Sequence, residues 1–274
     1  MGKQEMSYDG FLLNEKVTLV TGGTGMLGSL YCRRLAECGA TVLIADIDPV
    51  KCQELAQTIN STTSGKAFGV AVDLQDEQAV IHWANNIKSS FDRLDVLINN
   101  AATKSPNFFA PLGEFSVSDW NHVMSVNVTG VFLTCRELGC YMAERGKGSI
   151  INVSSIYGVV GPDQRIYEGS WYPEMGGAIN TPLIYSASKG AIIAMTRYLA
   201  TYWGHKGVRT NTLTPGGVTS GQNKIFEDKY SARIPMGRMA FAEDMVGALL
   251  FLASDASSYV NGQNIIVDGG LTAW

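Results

Sequence analysis

Seven short runs of apolar residues, rich in Val and Ile and flanked by Gly, Asp or Asn, recur along the chain. They cover residues 17–21, 41–46, 67–73, 94–100, 149–155, 208–215 and 264–270. Continuous apolar runs of this length are typical of strands that are buried on both faces of a parallel sheet. The pattern therefore predicts seven parallel strands.

Longer segments with helical periodicity separate these runs. They cover residues 26–38, 49–60, 76–91, 117–143, 185–204 and 241–253. A strand followed by a helix, repeated along the chain, predicts a doubly wound α/β fold with helices on both faces of the sheet. We expect one Rossmann-type, three-layer αβα domain over residues 1–274, with an N-terminal extension at 1–14. Ligands of such sheets bind at the carboxyl ends of the strands.

Composition and charge disfavour several classes of function. The 274 residues are 46% hydrophobic and carry a formal net charge of −4, and they contain no run of Lys or Arg. Neither nucleic acid nor a membrane surface is therefore an expected partner. No apolar run is long enough to span a membrane, and residues 1–14 lack the apolar core of a signal peptide.

The cysteines indicate the cellular compartment of the protein, and the histidines argue against a metal site. The chain has five cysteines, an odd number, and no C-x-x-C pair. Reduced thiols and a cytoplasmic location are therefore expected. Its three histidines are scattered without a nearby carboxylate partner, so no metal site is expected.

A glycine-rich turn follows the first predicted strand. Gly23, Gly25 and Gly28 satisfy the pattern G-x-G-x-x-G between a strand and a helix. Glycine lets the backbone approach a pyrophosphate, and the helix N-terminus offers free N–H groups and positive partial charge. We expect dinucleotide binding; the alternative is a glycine-rich turn without a ligand. The residues expected to contact the dinucleotide here are Gly22, Thr24, Met26 and Leu27.

Asp46 ends the second predicted strand, 18 residues after Gly28. A carboxylate at this position can accept hydrogen bonds from the adenosine ribose and repels a 2′-phosphate. Ile47 follows it, and the glycine-rich turn has no basic residue. The sequence therefore predicts NAD(H) rather than NADP(H) as the cofactor; the alternative is a loop carboxylate that caps the next helix.

Eight segments, in order over nearly the whole chain, resemble the single-domain branch of the short-chain dehydrogenase/reductase family. They are TGGTGMLG (21–28), Asp73 in VDL, NNAA (99–102), Asn127 in VNVTG, Ser155 in NVSS, YSASK (185–189), PGGV (215–218) and GQNIIVDGG (262–270). Met26 and Ala102 stand where the family usually has glycine, and the spacing of Gly22, Gly25 and Gly28 is similar to the extended branch.

The resemblance implies a Rossmann-type fold, a nicotinamide cofactor and a catalytic tetrad of Asn127, Ser155, Tyr185 and Lys189. It also implies a tetrameric or dimeric assembly. Asn99 is expected to stabilise the ends of the central strands, and Asp73 either contacts adenine or caps the following helix. The further residues that it implies for cofactor binding are Asp73, Leu74, Asn100, Ala101, Tyr185, Lys189, Pro215, Gly216 and Val218.

The chemistry of these side chains suits alcohol oxidation. The hydroxyl proton needs a base while hydride leaves for nicotinamide. Tyr185 and Lys189 are four residues apart on a predicted helix, where the ammonium can favour the phenolate and also reach ribose hydroxyls. Ser155, at the end of a strand, can hold the substrate oxygen. By resemblance, Asn127 binds a water that links Lys189 to solvent.

Ser155 and Tyr185 lie 30 residues apart in this chain. The corresponding residues of the family are usually closer together, so an insertion separates them here. Its residues 158–183 are rich in glycine and proline, which predicts a long loop beside the substrate mouth. Arg165, Trp171 and Tyr172 are candidate substrate contacts. The insertion resembles that of flagellin-modification and surface-polysaccharide oxidoreductases, which implies a sugar or sugar derivative; a surface loop or oligomer contact is the alternative. Residues 219–240 resemble the family's mobile substrate loop.

These features together predict an NAD(H)-dependent oxidoreductase that interconverts a secondary alcohol and a ketone on a small molecule. Two alternatives stay open. One is a catalytically silent NAD(H)-binding regulator, which the presence of all four tetrad residues disfavours. The other is a dehydratase or epimerase of related fold, which the glycine spacing favours and the short C-terminal region disfavours.

Overall fold

A computed structural model describes residues 8–172 and 177–274 and has a central sheet of seven parallel strands among them. Its order is β3-β2-β1-β4-β5-β8-β9. The strands are β1 Val17–Thr21, β2 Thr41–Ala45, β3 Lys66–Gly69, β4 Val96–Asn99, β5 Gly148–Val153, β8 Val208–Pro215 and β9 Asn264–Val267. The strand order reverses between β1 and β4, where doubly wound sheets bind their ligands.

Helices connect the strands, and apart from one in the predicted substrate loop they lie where the periodicity predicts them. They are α1 Met26–Glu37, α2 Pro49–Thr62, α3 Glu77–Ser90, α4 Val117–Met124, α5 Val131–Thr134, α6 Cys140–Glu144, α7 Leu183–Trp203, α8 Lys224–Ser231 and α9 Val246–Ala253. Two π-helical turns, Ser125–Gly130 and Cys135–Gly139, join α4, α5 and α6 into the single long helix that the sequence predicts. Within the part of the chain that the structure describes, no helix has the length and apolar character of a membrane span.

The hydrophobic core lies in two layers, one on each face of the sheet. Leu35 of α1 and Leu249 of α9 belong to one layer, and Trp83 of α3 and Ile192 of α7 belong to the other. Successive residues of the strands alternate between the two layers, as side chains of a β-strand must. The predicted three-layer αβα architecture is therefore confirmed.

A buried polar network ties the ends of the two central strands to the helices. The Asn99 Nδ2 donates to Asn152 Oδ1 at 2.8 Å, and the Thr134 hydroxyl donates to Asn99 Oδ1 at 2.7 Å. Asn152 Nδ2 in turn donates to the Thr196 hydroxyl at 2.9 Å. Because buried amides that are fully paired hold one arrangement, this network fixes β4 against β5 beneath the ligand edge of the sheet, as expected for Asn99.

The insertion is folded, which differs from the loop without regular structure that its composition predicts. It contains a 3₁₀ turn, Gln164–Tyr167, and a small antiparallel hairpin of β6 Trp171–Tyr172 and β7 Gly177–Ala178. It packs on α8, which lies inside the predicted substrate loop: the Tyr167 and Phe226 rings stack with centroids 5.7 Å apart, and Lys229 Nζ donates to the Glu168 carbonyl at 2.7 Å. Contacts with α8 thus give the insertion structure that its own sequence does not specify.

Candidate active site

The glycine-rich turn runs close to the backbone that follows β4. Gly22 has a φ of +61°, and a Cβ there would lie 2.8 Å from the Ala101 Cα. A Cβ on Gly28 would lie 2.0 Å from the Gly22 carbonyl oxygen. Helix α1 then begins at Met26, and its N-cap residue Gly25 makes no side-chain capping bond. The turn therefore requires glycine for its path and leaves a helix N-terminus ready for an anion.

Asp46 is hydrogen-bonded to this turn. Its Oδ2 accepts from the Thr24 backbone N–H at 3.0 Å and from the Thr24 hydroxyl at 2.6 Å, and its Oδ1 accepts from the Ile47 N–H at 2.8 Å. These bonds place the carboxylate at the carboxyl end of β2, beside the glycine-rich turn. Asp46 does not cap the next helix, which was the alternative interpretation, because Asp48 is the N-cap of α2.

A groove of about 640 Å³, here named the glycine groove, lies between the glycine-rich turn, Asp46 and the segment after β4. The predicted cofactor residues that line it are Gly22, Thr24, Met26, Leu27, Asp46, Asp73, Leu74, Asn100 and Ala101. Asp73 lines the groove and does not cap α3, since Asp76 accepts from the Ala79 N–H at 3.0 Å in that role. Lys51, which no motif singles out, also lines the groove; its ammonium lies 3.4 Å from the Asp48 carboxylate.

A second cavity, here named the tyrosine cavity, has a volume of about 390 Å³ and continues from the glycine groove. Met26, Leu27, Asn100 and Ala102 line both. The predicted residues that line the tyrosine cavity are Ser155, Tyr185, Lys189, Pro215, Gly216 and Val218. The structure therefore brings together the residues expected around nicotinamide.

The catalytic candidates come from two elements that meet in this cavity. Ser155 follows β5 and caps a 3₁₀ turn, and its Oγ accepts from the Tyr157 N–H at 3.3 Å. Tyr185 lies in the first turn of α7 and hydrogen-bonds to the Ser155 side chain. Lys189 lies one turn later, with its ammonium 5.9 Å from the centre of the Tyr185 ring. Hydroxyl, phenol and ammonium therefore share one wall.

Burial sets the protonation of this group. It raises the pKa of Tyr185, while the hydrogen bond from Ser155 lowers it. Lys189 is only 5% exposed, and burial lowers its pKa to about 8. Its Nζ donates to the Val153 carbonyl at 3.0 Å. The contact that eases ionisation of the phenol is thus the hydrogen bond from Ser155.

Asn127 lies behind the cavity. It is 2% exposed, in the π-helical turn Ser125–Gly130, a feature often found at functional sites. Its Oδ1 accepts from the Thr103 N–H at 2.8 Å, and its Nδ2 donates to the Ser188 hydroxyl at 3.4 Å. Among the described lining residues of the two cavities Asn127 is absent. Its predicted role in a proton relay stays a prediction.

The structure does not place the predicted substrate contacts of the insertion in the tyrosine cavity. The Arg165 side chain is 89% exposed and pairs with Asp163 at 2.8 Å, and Trp171 is 47% exposed. Neither is among the described residues that line the tyrosine cavity, so their contact with substrate stays a prediction. The side chain of Tyr172 lies outside the described residues. The insertion residues that do line the cavity are Tyr167, Ile179, Asn180, Thr181 and Pro182.

The segment after β8 supplies the facing wall. In addition to Gly216 and Val218, it contributes Gly217, Ser220, Gln222, Phe226, Tyr230 and Met239. Tyr230 is anchored here because its hydroxyl oxygen accepts from the Gly217 N–H at 2.7 Å. Among all the described lining residues of the tyrosine cavity, only Lys104 and Lys189 carry a formal charge. The cavity therefore suits a compact ligand with polar groups, held between aromatic side chains.

Comparison with known proteins identifies the class of protein. Residues 16–170 match the family described as short chain dehydrogenase, and residues 173–272 match the one described as enoyl-(acyl carrier protein) reductase. The chain belongs to the short-chain dehydrogenase/reductase family. No group of three or more His, Cys, Asp or Glu that could hold a metal ion occurs among the described residues.

The chain is also similar to individual members of this family. The chain is 33% identical to D-threitol dehydrogenase of Mycolicibacterium smegmatis, over 98% of each chain. It resembles the crystal structure of a gluconate 5-dehydrogenase from Burkholderia cenocepacia in complex with NADP and tartrate, with a TM-score of 0.86, 30% identity and coverage of 97% and 98%. It also resembles a short-chain dehydrogenase from Leptospira borgpetersenii with bound NAD+, with a TM-score of 0.82, 29% identity and coverage of 99% and 98%.

The chain is therefore an NAD(P)-dependent oxidoreductase that interconverts a secondary alcohol and a ketone. The predictions of family, fold and reaction class are confirmed at this level.

Proposed function

We propose that this enzyme oxidises a secondary alcohol of a polyol or sugar derivative with NAD+, with Tyr185 as the acid/base. One observation carries the proposal: Ser155, Tyr185 and Lys189 line a single cavity that continues into the glycine groove. A substrate alcohol in the cavity would therefore lie beside the nicotinamide end of a dinucleotide in the groove.

Each side chain has a task that its position supports. The Tyr185 oxygen accepts the proton of the substrate hydroxyl, and the Ser155 hydroxyl holds the same substrate oxygen as charge develops on it. The Lys189 ammonium favours the phenolate across the 5.9 Å that separates it from the ring. A bound nicotinamide supplies the hydride acceptor. Asn127 is proposed, by resemblance to the family, to order a water that passes protons from Lys189 to solvent.

Asp46 supports NAD+ over NADP+. Its carboxylate lies in the glycine groove, where it can accept ribose hydroxyls and would repel a 2′-phosphate. Lys51 is the cationic residue that could oppose this preference; its exposed ammonium lies 3.4 Å from the Asp48 carboxylate, which competes with a phosphate for it. The groove otherwise fits a dinucleotide, since the glycine-rich turn leaves its backbone and a helix N-terminus open to a pyrophosphate.

Two relatives support a hydroxylated substrate: one is named for D-threitol and the other for gluconate, and the latter holds tartrate. Hydroxyl and amide side chains line the tyrosine cavity among aromatic rings; they are Tyr157, Asn180, Thr181 and Gln222. Such a mixture suits a carbon chain with several hydroxyl groups.

A cytoplasmic location and a homo-oligomer, a tetramer or a dimer, belong to the same proposal. All five cysteines are free thiols, which fits a reducing compartment. Trp274 is exposed in the single chain and is a candidate contact between subunits. Light scattering of the purified protein measures the assembly.

Replacement of the phenol tests the acid/base assignment. Tyr185→Phe should lower kcat with D-threitol and NAD+ by about 10³-fold, a magnitude typical of a lost general base. The dissociation constant for NADH, measured by fluorescence titration, should stay within about threefold, because the glycine groove is untouched. Tyr198→Phe, at an exposed tyrosine of the same helix, serves as the matched control. Full activity of Tyr185→Phe on every alcohol that the wild type oxidises would remove Tyr185 from the mechanism.

A further inference from the structure

Asn180 occupies the last part of the insertion, just before the Pro182 N-cap of α7. It lines the tyrosine cavity together with Ser155 and Tyr185. No motif singles it out in the sequence, and the catalytic assignments above do not use it. Its position places an amide beside the carbon chain of any substrate whose reacting oxygen is held by Ser155 and Tyr185.

The two ends of this amide differ. Asn180 Nδ2 donates to the Phe109 carbonyl at 2.8 Å, which fixes the orientation of the side chain. Asn180 Oδ1 is buried and has no hydrogen-bond partner among the described residues. A buried carbonyl oxygen without a donor costs free energy, and a donor that arrives with a ligand removes that cost. The amide is therefore held in place with one buried acceptor unpaired.

Neighbouring contacts hold the backbone of Asn180 in position. The Thr181 hydroxyl hydrogen-bonds to the Tyr167 hydroxyl, which donates to the Tyr157 hydroxyl at 3.2 Å. The Tyr167 ring stacks on Phe226 of α8. The insertion and α8 thus fix the residue next to Asn180 before a ligand binds, which lowers the ordering cost of a hydrogen bond to it.

Other polar groups of the cavity already have partners. Gln222 Oε1 accepts from the Ser220 N–H at 2.7 Å, and Gln222 Nε2 donates to the Val218 carbonyl at 3.1 Å. None of the described lining residues is acidic, so no carboxylate competes for a hydroxyl donor. Asn100, the third amide of the lining, donates to the Thr21 and Gly22 carbonyls at 3.2 and 3.1 Å. Among the described residues that line the cavity, Asn180 is the one with a buried side-chain oxygen that lacks a partner.

We propose that Asn180 Oδ1 accepts a hydrogen bond from a second, non-reacting hydroxyl of the substrate. The residue then selects diols and longer polyols over simple alcohols, because a substrate with one hydroxyl leaves the buried oxygen unpaired. This inference rests on the proposed function, since Ser155 and Tyr185 must hold the reacting hydroxyl.

A pair of substrates that differ by one hydroxyl tests the assignment. The measured quantity is the ratio of kcat/KM for 2,3-butanediol to kcat/KM for 2-butanol, with NAD+ as cofactor. Asn180→Leu should lower this ratio by roughly 10- to 100-fold, the effect of one buried hydrogen bond. Asn180→Asp, which keeps an acceptor, should retain a preference for the diol. Gln57→Leu, at an exposed amide of α2, should leave the ratio unchanged. A ratio in Asn180→Leu within twofold of the wild type overturns the proposal.

A binding measurement separates this proposal from the proposed function. D-Threitol is titrated calorimetrically into the NADH complexes of the wild type and of Asn180→Leu. If the wild type oxidises none of these alcohols, the proposed function is wrong. The role of Asn180 is then tested by the affinity for D-threitol alone. At least tenfold weaker D-threitol binding by Asn180→Leu supports it. Equal affinity, or no binding of D-threitol to the wild type, overturns it.

Discussion

Replacement of Lys189 by Met should stabilise the cofactor-free protein at pH 7 while it abolishes turnover. Lys189 is 5% exposed, and burial lowers its pKa from 10.5 to about 8. Its Nζ has a hydrogen bond to the Val153 carbonyl. Folding therefore places an ammonium where its charge is disfavoured, and Met is an apolar side chain of similar length.

The magnitude follows from these values. A pKa lowered from 10.5 to about 8 corresponds to about 3 kcal/mol of cost to the folded state when the group is charged. Loss of the hydrogen bond to Val153 offsets about 1 kcal/mol of the gain. A net stabilisation of about 2 kcal/mol is expected at pH 7.

The difference in stability between Lys189→Met and the wild type depends on pH. Below pH 8 Lys189 is protonated in both the folded and the unfolded chain, so the full cost is present. Between pH 8 and 10.5 the unfolded chain binds more protons at this group than the folded chain, so wild-type stability rises with pH through this residue. The advantage of Lys189→Met should therefore be largest near pH 7 and disappear toward pH 10.5.

Urea unfolding of both proteins at pH 7 and at pH 10, followed by circular dichroism, measures the difference. Lys206→Met, at an exposed lysine, is the control and should change the free energy of unfolding by less than about 0.5 kcal/mol. A destabilised Lys189→Met, or a difference that does not change with pH, would show that burial of the Lys189 ammonium does not cost stability.

Two further predictions concern the glycine groove. Asp46→Ala should lower the ratio of kcat/KM with NAD+ to kcat/KM with NADP+ by at least about tenfold, because a charge-assisted hydrogen-bond acceptor for ribose is lost. Steady-state kinetics with both cofactors measures this ratio. A wild type that prefers NADP+ contradicts the role given to Asp46. Gly28→Ala should weaken NADH binding by more than about 100-fold or prevent folding, since the new Cβ would lie 2.0 Å from the Gly22 carbonyl oxygen. In Gly247→Ala the new Cβ meets no atom within 4 Å, so fluorescence titration of this control should give wild-type affinity for NADH.

The fold was predictable because its signals are local and repeated. Seven apolar runs and the helical periods between them specify strands and helices on their own, and the handedness rule for parallel crossovers leaves few topologies. The folded insertion was not predictable in this way. Its 3₁₀ turn and hairpin depend on contacts between Tyr167 and Phe226 and between Glu168 and Lys229, which lie far apart in sequence.

The candidate site likewise has residues that the sequence locates and residues that only the folded structure reveals. The glycine-rich turn, Asp46 and the Tyr185–Lys189 pair have fixed spacing next to strand or helix ends, so motif and position together locate them. Arg165 and Trp171 were selected for charge and aromatic character, which do not tell which side of a turn faces the cavity. Asn180 was missed because its importance lies in an unpaired oxygen, and hydrogen-bond satisfaction cannot be read from a sequence.

The central claim is that the phenol of Tyr185 faces the same continuous space as a bound nicotinamide ring. A crystal structure of Tyr185→Phe with NAD+ and D-threitol tests it most directly. We expect the dinucleotide along the glycine groove, with its adenosine ribose at Asp46, and a D-threitol hydroxyl within hydrogen-bond distance of Ser155, beside the edge of the substituted ring. A dinucleotide bound elsewhere, or a side chain at position 185 that points away from it, would show that Tyr185 is not the acid/base.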